Sequence, residues 1–262
     1  MGTEPKAWES VLARIEERLV DGRLRPGDHL PPERTLAAEL GVARSSVREA
    51  VRVLEAMGLI RTQTGSGPSS GAIIIARPIG GMQALMRLQV AASGFPVTDV
   101  VSTRLLLESA VAGELAEHAP DVDLGEASHL LDAMDDPALT AAEFLALDAQ
   151  FHLSLAGAAG NSVVATMMAG LRGSIEGYVL AGAARLPDWE AMAARLRAEH
   201  RAVLAAITGG DVAAARARIH DHISGYYRDA APEPVAGPAS SPPAPSPSPS
   251  PAPAPAPSTD AR

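Results

Sequence analysis

The sequence contains no cysteine, which excludes disulfides and thiolate metal sites from its chemistry. Aromatic residues make up only 3% against 47% hydrophobic residues overall, so a core has to be assembled mainly from Ala, Leu and Val. A long apolar run is also missing. No stretch approaches the roughly 18 residues that a membrane span requires. The opening MGTEPKAWESVLARIEERLV is amphipathic and acidic, without the uninterrupted apolar segment of a signal peptide. These absences lead to the expectation of a soluble, cytoplasmic protein with no membrane partner. Excess positive charge is lacking too. The formal net charge of −9 argues against indiscriminate nucleic-acid binding, but leaves room for a local basic face.

The charge that is present is unevenly placed. Residues 1–77 carry eleven Lys/Arg against ten Asp/Glu, whereas residues 78–262 carry eleven against twenty-one. A near-neutral N-terminal part joined to an acidic C-terminal part points to different partners for the two ends. The 262 residues suffice for two domains of ordinary size. From Glu233 the chain becomes EPVAGPASSPPAPSPSPSPAPAPAPSTDAR. A Pro/Ala/Ser tail of this kind cannot bury enough surface to offset its ordering entropy, so residues 231–262 are predicted to be disordered.

Helical periodicity places Trp8, Val11, Leu12, Ile15 and Leu19 on one face over residues 7–21. The turn-rich DGRLRPGDHLPPER leads into a helix from about Glu33 to Leu40, ended by Gly41. A third helix is predicted from about Ala43 to Met57, closed by Gly58. LIRTQ and AIIIARP then read as two short strands around the loop TGSGPSSG. Helix, helix, turn, helix and hairpin in about 70 residues is the layout of a winged helix-turn-helix. Beyond residue 78 only helices are expected, at about 79–92, 97–118, 122–134, 140–158, 161–183, 188–208 and 211–229. The fold class is therefore mostly α. The predicted organisation is a winged head (1–77), a connecting segment (78–96) and an all-α bundle of six to seven helices (97–230).

In the third helix, Val47, Val51 and Leu54 repeat at helical spacing and are predicted to face inward. Arg44, Ser45, Arg48 and Arg52 then project outward from the same helix. A helix of this width fits the major groove of double-stranded DNA. There Arg can bond guanine O6 and N7 together, and Ser can reach base edges or phosphate. Arg34, at the start of the preceding helix, is placed to meet phosphate, and the glycine loop around Gly65 can touch the backbone as a wing.

LRPGDHLPPERTLAAELGVARSSVREAVRVLEAMGLI, residues 24–60, resembles the DNA-binding domain of GntR-superfamily transcription regulators. Their pattern is close to P-G-x-x-L-P-x-E-R-x-L-A-x-x-L-G-V-x-R-x-x-V-R-E-A. The resemblance assigns DNA contact to Arg34, Arg44, Ser45, Ser46 and Arg48, and the wing tip to Gly65. Two positions depart from it: Pro32 stands where Ser is common, and Ala43 where Ser or Thr caps the recognition helix. Ala43 has no side-chain oxygen to offer as a cap.

The C-terminal helices carry polar residues on apolar faces. Asp148 and His152 lie four apart on the stripe of Phe144, Phe151 and Leu155. His200 shares its face with Leu196, Val203, Leu204 and Ile207, and His222 with Ile219, Ile223 and Tyr226. If the last two helices form an antiparallel hairpin about TGGD, residues equidistant from Asp211 lie level. His200 is eleven before it and His222 eleven after. One carboxylate and three imidazoles could then converge as a site for a divalent metal such as Zn²⁺ or Ni²⁺. The alternative is an Asp–His pair with unrelated core histidines.

The same residues resemble the all-helical effector domain of the FadR subgroup of GntR regulators, in which a D-x-x-x-H helix and two further histidines bind metal. By that resemblance, Arg104 binds an effector carboxylate and Asn161 lines the same cavity, with Arg172 a further candidate. A salt bridge from Arg104 to Glu108 is the competing reading. The implied function is a ligand-responsive regulator, expected to be a repressor. It would bind a palindromic operator as a homodimer and sense a small carboxylate metabolite through the buried metal. Two alternatives stand beside it: a regulator whose metal is structural or itself the signal, and a metal-dependent hydrolase. The second lacks a legible acid/base pair, since Glu199 is adjacent to His200 but points off its face.

Overall fold

The computed structural model describes residues 6–63, 71–75 and 79–230. The first part packs α1 (Ala7–Val20), α2 (Glu33–Leu40) and α3 (Arg44–Ala56) with the antiparallel strands β1 (Ile60–Gln63) and β2 (Gly71–Ile74). Val11, Ile15, Leu36, Val47, Ala50 and Leu54 form its core together with Ile60 and Ile74. A fully buried aliphatic side chain of this kind contributes about 1.5–3 kcal/mol. Ala50, rather than Val51, takes the deepest middle position of α3; Val51 is half-buried. Ala is small enough to let α3 approach its neighbours closely there.

Gly41 ends α2 in the left-handed conformation, at φ 64° and ψ 28°, and its N–H donates to Ala37 O. This lets the chain turn sharply into α3 without a Cβ penalty. The strands are shorter than the sequence patterns imply. However, the segment read as punctuation adds a bridge between His29 and Ile73, with Leu30 N–H donating to Ala72 O at 2.8 Å. Pro31 and Pro32 follow immediately and have no N–H with which to extend that pairing.

The second part is helical: α4 (Ile79–Ala91), α5 (Val97–Glu117), α6 (Gly125–Ala133), α7 (Ala141–Ala158), α8 (Ser162–Ala183), α9 (Trp189–Thr208) and α10 (Val212–Ala230). Asn161 and Asp188 cap α8 and α9 through their side-chain oxygens, and Thr140 forms a reciprocal capping box with Glu143 at α7. The helix expected from 122 begins at Gly125 because Ala119–Asp121 form a separate short 3-10 turn around Pro120. The core is built around Leu115, Phe144, Phe151, Met168, Leu196 and Ile219. α4 lies along α8 where Gly170 leaves room for Met82 and Met86; a β-carbon at 170 would meet their Cγ atoms at 3.4 and 3.3 Å. Among the described residues, no helix is long and apolar enough to cross a membrane.

Candidate metal centre and nucleic-acid interface

Three helices bring the polar row of the bundle to one point. α7 supplies Asp148 and His152 one turn apart, α9 supplies His200 and α10 supplies His222. The left-handed Gly210, at φ 71°, turns α9 into α10, and the antiparallel hairpin sets His200 and His222 level, their ring centroids 4.3 Å apart. One ligand atom from each of the four residues lies within 4.8 Å of every other. Asp148 Oδ1 is 2.9 Å from His200 Nε2, 3.7 Å from His152 Nε2 and 3.8 Å from His222 Nε2. The Nε2 atoms of His152 and His222 are 3.3 Å apart.

The outer ring nitrogens have their own partners. His152 Nδ1 pairs with Glu108 Oε2, and His222 Nδ1 lies 2.8 Å from Glu199 Oε2. A carboxylate on Nδ1 fixes the tautomer that leaves the Nε2 lone pair directed inward, the usual support for a metal-ligating histidine. Burial first, then the neighbouring His222, holds His200 below its ordinary value; burial likewise lowers His222. Burial alone would raise Asp148, but Arg172 and His152 hold its carboxyl well below the usual carboxylate range. Neutral imidazoles around an ionised carboxylate are the donor set a divalent cation requires. Ligand atoms about 2.1 Å from one ion at tetrahedral or octahedral angles lie roughly 3.0–3.5 Å apart. The shortest spacings match such an ion, and the wider ones, up to 4.8 Å, require the side chains to draw in around it.

The cluster forms one wall of a cavity of about 390 Å³ that Asp148, His152 and His222 share with Arg104, Arg172 and Tyr227. Arg104 is buried between α5 and α10. Its Nε donates to Glu108 Oε1 and its Nη1 to Tyr227 Oη, each at 2.8 Å. The two readings of Arg104 are thus both realised: it makes the salt bridge with Glu108 and also lines the cavity. Arg172 lines it as well, with Nη2 donating to Asp148 Oδ2 at 2.5 Å.

Asn161 is a correction. It does not line the cavity; its Oδ1 instead accepts from the backbone N–H groups of Val163 and Val164 at the start of α8. An Asn in a Gly-Asn turn before a helix is drawn to that role because its carbonyl satisfies otherwise orphaned donors. Glu199 points off the His200 face, as expected, and reaches His222 on the next helix. Glu108 and Tyr227 were not singled out as site residues, although Glu108 stands one turn from Arg104 on α5. Tyr227 carried no sequence signal toward the site.

On α3 the arginine row is exposed. Arg44, Ser45, Arg48 and Arg52 all face solvent, and Ser46 is half-buried. Arg34, near the start of α2, is exposed too. Arg48 is tied to Glu33 across the helix-turn-helix, Nη2 to Oε2 at 3.0 Å. Ala43 leaves the N-terminus of α3 without a side-chain cap. The wing-tip assignment to Gly65 lies outside the described residues.

Comparison with known proteins closes on the same two features. Residues 8–68 match the model of the bacterial regulatory proteins of the gntR family, and residues 99–225 match that of the FCD domain. The chain is 28% identical over 217 residues to the HTH-type transcriptional regulator LutR of Bacillus subtilis, covering 80% of this chain and 97% of the relative. It is 31% identical over 167 residues to the HTH-type transcriptional repressor NanR of Edwardsiella tarda, covering 60% of each. Among solved structures, the GntR of Streptococcus agalactiae superposes with a TM-score of 0.58 at 26% identity, covering 85% of this chain and 99% of the other. These relatives and domains are transcription regulators, not enzymes. With a winged helix-turn-helix ahead of an all-α FCD domain, the chain belongs to the gntR family of DNA-binding transcription regulators.

Proposed function

We propose that this regulator is a repressor of the FadR subgroup that senses a small organic acid through a divalent metal in its bundle. In this reading residues 1–77 read DNA, 78–96 connect, and 97–230 bind the effector and dimerise. The protein acts in the cytoplasm as a homodimer, whose two heads meet the halves of a palindromic operator. Arg44, Ser45, Ser46 and Arg48 contact base edges and phosphate from α3, Arg34 holds the backbone, and Gly65 lies at the wing tip.

The observation that carries the reading is the direction of the imidazoles. Two of the three turn Nδ1 to carboxylates and Nε2 toward Asp148, on the wall of a cavity that also presents Arg104. Asp148, His152, His200 and His222 would hold Zn²⁺ or Ni²⁺, which when bound supplies a Lewis-acidic contact for a carboxylate oxygen. Arg104, fixed by Glu108 and Tyr227, adds a positive charge to the same cavity for the acid to approach. The name of the NanR relative, a transcriptional repressor, supports repression.

The test is to select a duplex from a random DNA library with the metal-loaded protein and then screen organic acids for release of that duplex. Release by at least one acid, lost on His222→Ala substitution, is expected. Release by metal removal alone, with no response to any acid, would instead establish the metal as the signal.

A further inference from the structure

The charges of the four buried Arg, Glu and Asp side chains at and behind the cavity wall cancel before any ion is added. Arg104 and Arg172 are 4% and 9% exposed and positive; Glu108 and Asp148 are 2% and 9% exposed and negative. A divalent ion on neutral imidazoles leaves two positive charges unbalanced in a poorly solvated space. A singly charged acid would offset one and strand the other. A doubly charged acid offsets both.

The hydrogen bonding also leaves a second place for an acid to attach. Arg104 is committed on two sides, to Glu108 and to Tyr227. Arg172 uses Nη2 on Asp148, while its buried Nη1 has no hydrogen-bond partner among the described residues and stands 3.5 Å from Glu108 Oε1. A buried guanidinium N–H without an acceptor is costly, and its preferred acceptor is a carboxylate. The remaining acidic groups nearby do not fill this role. Glu176 lines the cavity but is exposed to water, and Glu199 faces His222 Nδ1 and pairs with Arg195 at 3.3 Å. The cavity volume of about 390 Å³ sits at the small end of ligand sites, which suits a compact molecule with two charged groups close together.

We propose that the effector is a small dianionic acid, with one acidic group at the metal centre and the second on Arg172. The proposal rests on the effector reading above and adds the ligand's charge and the residue that selects it. Arg172 thereby becomes a specificity residue, separating diacids from monoacids of the same length.

Calorimetric titration of the Zn²⁺-loaded protein with matched pairs tests this: butyrate against succinate, and 2-hydroxybutyrate against malate. The diacid of at least one pair should bind more than tenfold tighter than its monoacid. Arg172→Gln should remove that preference, bringing diacid and monoacid affinities in the same variant to within about twofold of each other, and Arg172→Lys, which keeps the charge, should retain part of it. Zn²⁺ binding by each variant is measured first, because Arg172 also holds Asp148; if the Gln variant loses Zn²⁺, the wild-type preference and the Lys variant decide. Equal binding of monoacids and diacids by the wild type overturns the dianion proposal while leaving the effector reading intact, as does an equal loss of both in Arg172→Gln. If neither class binds, both readings fall together.

Discussion

His200 Nε2 on α9 stands 2.9 Å from Asp148 Oδ1 on α7, with both side chains buried. A contact this short between an imidazole nitrogen and a carboxylate oxygen is held by a proton or a cation shared between them. The outward Nδ1 partners of His152 and His222 and the ion pair on Asp148 surround that contact.

Metal loading should therefore stabilise the fold. With free Zn²⁺ at about 100 times its dissociation constant, linkage raises stability by roughly 2.7 kcal/mol, read as an upward shift of the thermal midpoint over chelator-treated protein. His200→Ala should abolish the shift. A midpoint indifferent to Zn²⁺ in the unsubstituted protein would remove the metal site.

Glu199 should matter for metal without touching it. Through its 2.8 Å contact with His222 Nδ1 it orients a ligand, and losing such a partner typically weakens affinity about 10–100-fold. Competition titration of Glu199→Gln against a chromogenic chelator measures the loss. Affinity equal to that of the unsubstituted protein would show that the contact does not position the ring.

Acid should destabilise the metal-free protein earlier than its carboxylates alone would dictate. His200 and His222 are held below the ordinary value of 6.5, primarily by burial. The unfolded chain takes up protons near that value which the folded chain refuses. This contribution is thus fully present above about pH 6.5 and declines as pH falls through and below it. Asp148 and Glu108, both held well below the usual carboxylate range, begin to oppose folding only at lower pH. Urea melts of metal-free protein between pH 7.5 and 5.5 should show falling stability, and a flat profile would contradict neutral buried imidazoles.

The DNA face separates into two kinds of arginine. Arg48→Ala should weaken binding to a selected duplex roughly ten- to hundredfold and relax preference at one base position. Arg34→Ala should weaken all duplexes alike and reduce the salt slope by about one. Fluorescence anisotropy at several salt concentrations distinguishes them. Identical behaviour of the two variants would refute the assignment of one to bases and the other to phosphate.

Ala43 offers a gain rather than a loss. It begins α3 at φ −67° and ψ 146°, the extended geometry of a capping residue, but has no oxygen to offer. Ala43→Ser should stabilise the protein by about 0.5–2 kcal/mol in denaturant melts. No gain would mean that the orphan N–H groups are already satisfied by water.

The head was legible in the sequence because its signals are local. Gly41 had to adopt a positive φ, and Val47 and Leu54 had to face inward, whatever surrounded them. The four metal-site positions were legible for a related reason. All four lie on apolar stripes of regular helices, and the symmetric spacing about Asp211 fixes the level of His200 against His222. Contacts between helices distant in sequence were not legible. Periodicity places Glu199 off the His200 face but describes one helix at a time, and its partner His222 belongs to the next. The resemblance points Asn161 to the cavity, but the capping requirement of α8 acts on it more directly.

The sequence alone determined the helix-turn-helix, the mostly helical bundle and the inward stripe of Asp148, His152, His200 and His222, since each follows from the fixed repeat of a helix. Only the packed structure decided how Arg104 divides itself between Glu108, Tyr227 and the cavity, and that Arg172 holds Asp148. A guanidinium chooses among acceptors according to which survive desolvation beside it, and that depends on how four helices meet rather than on the order of residues in any one of them.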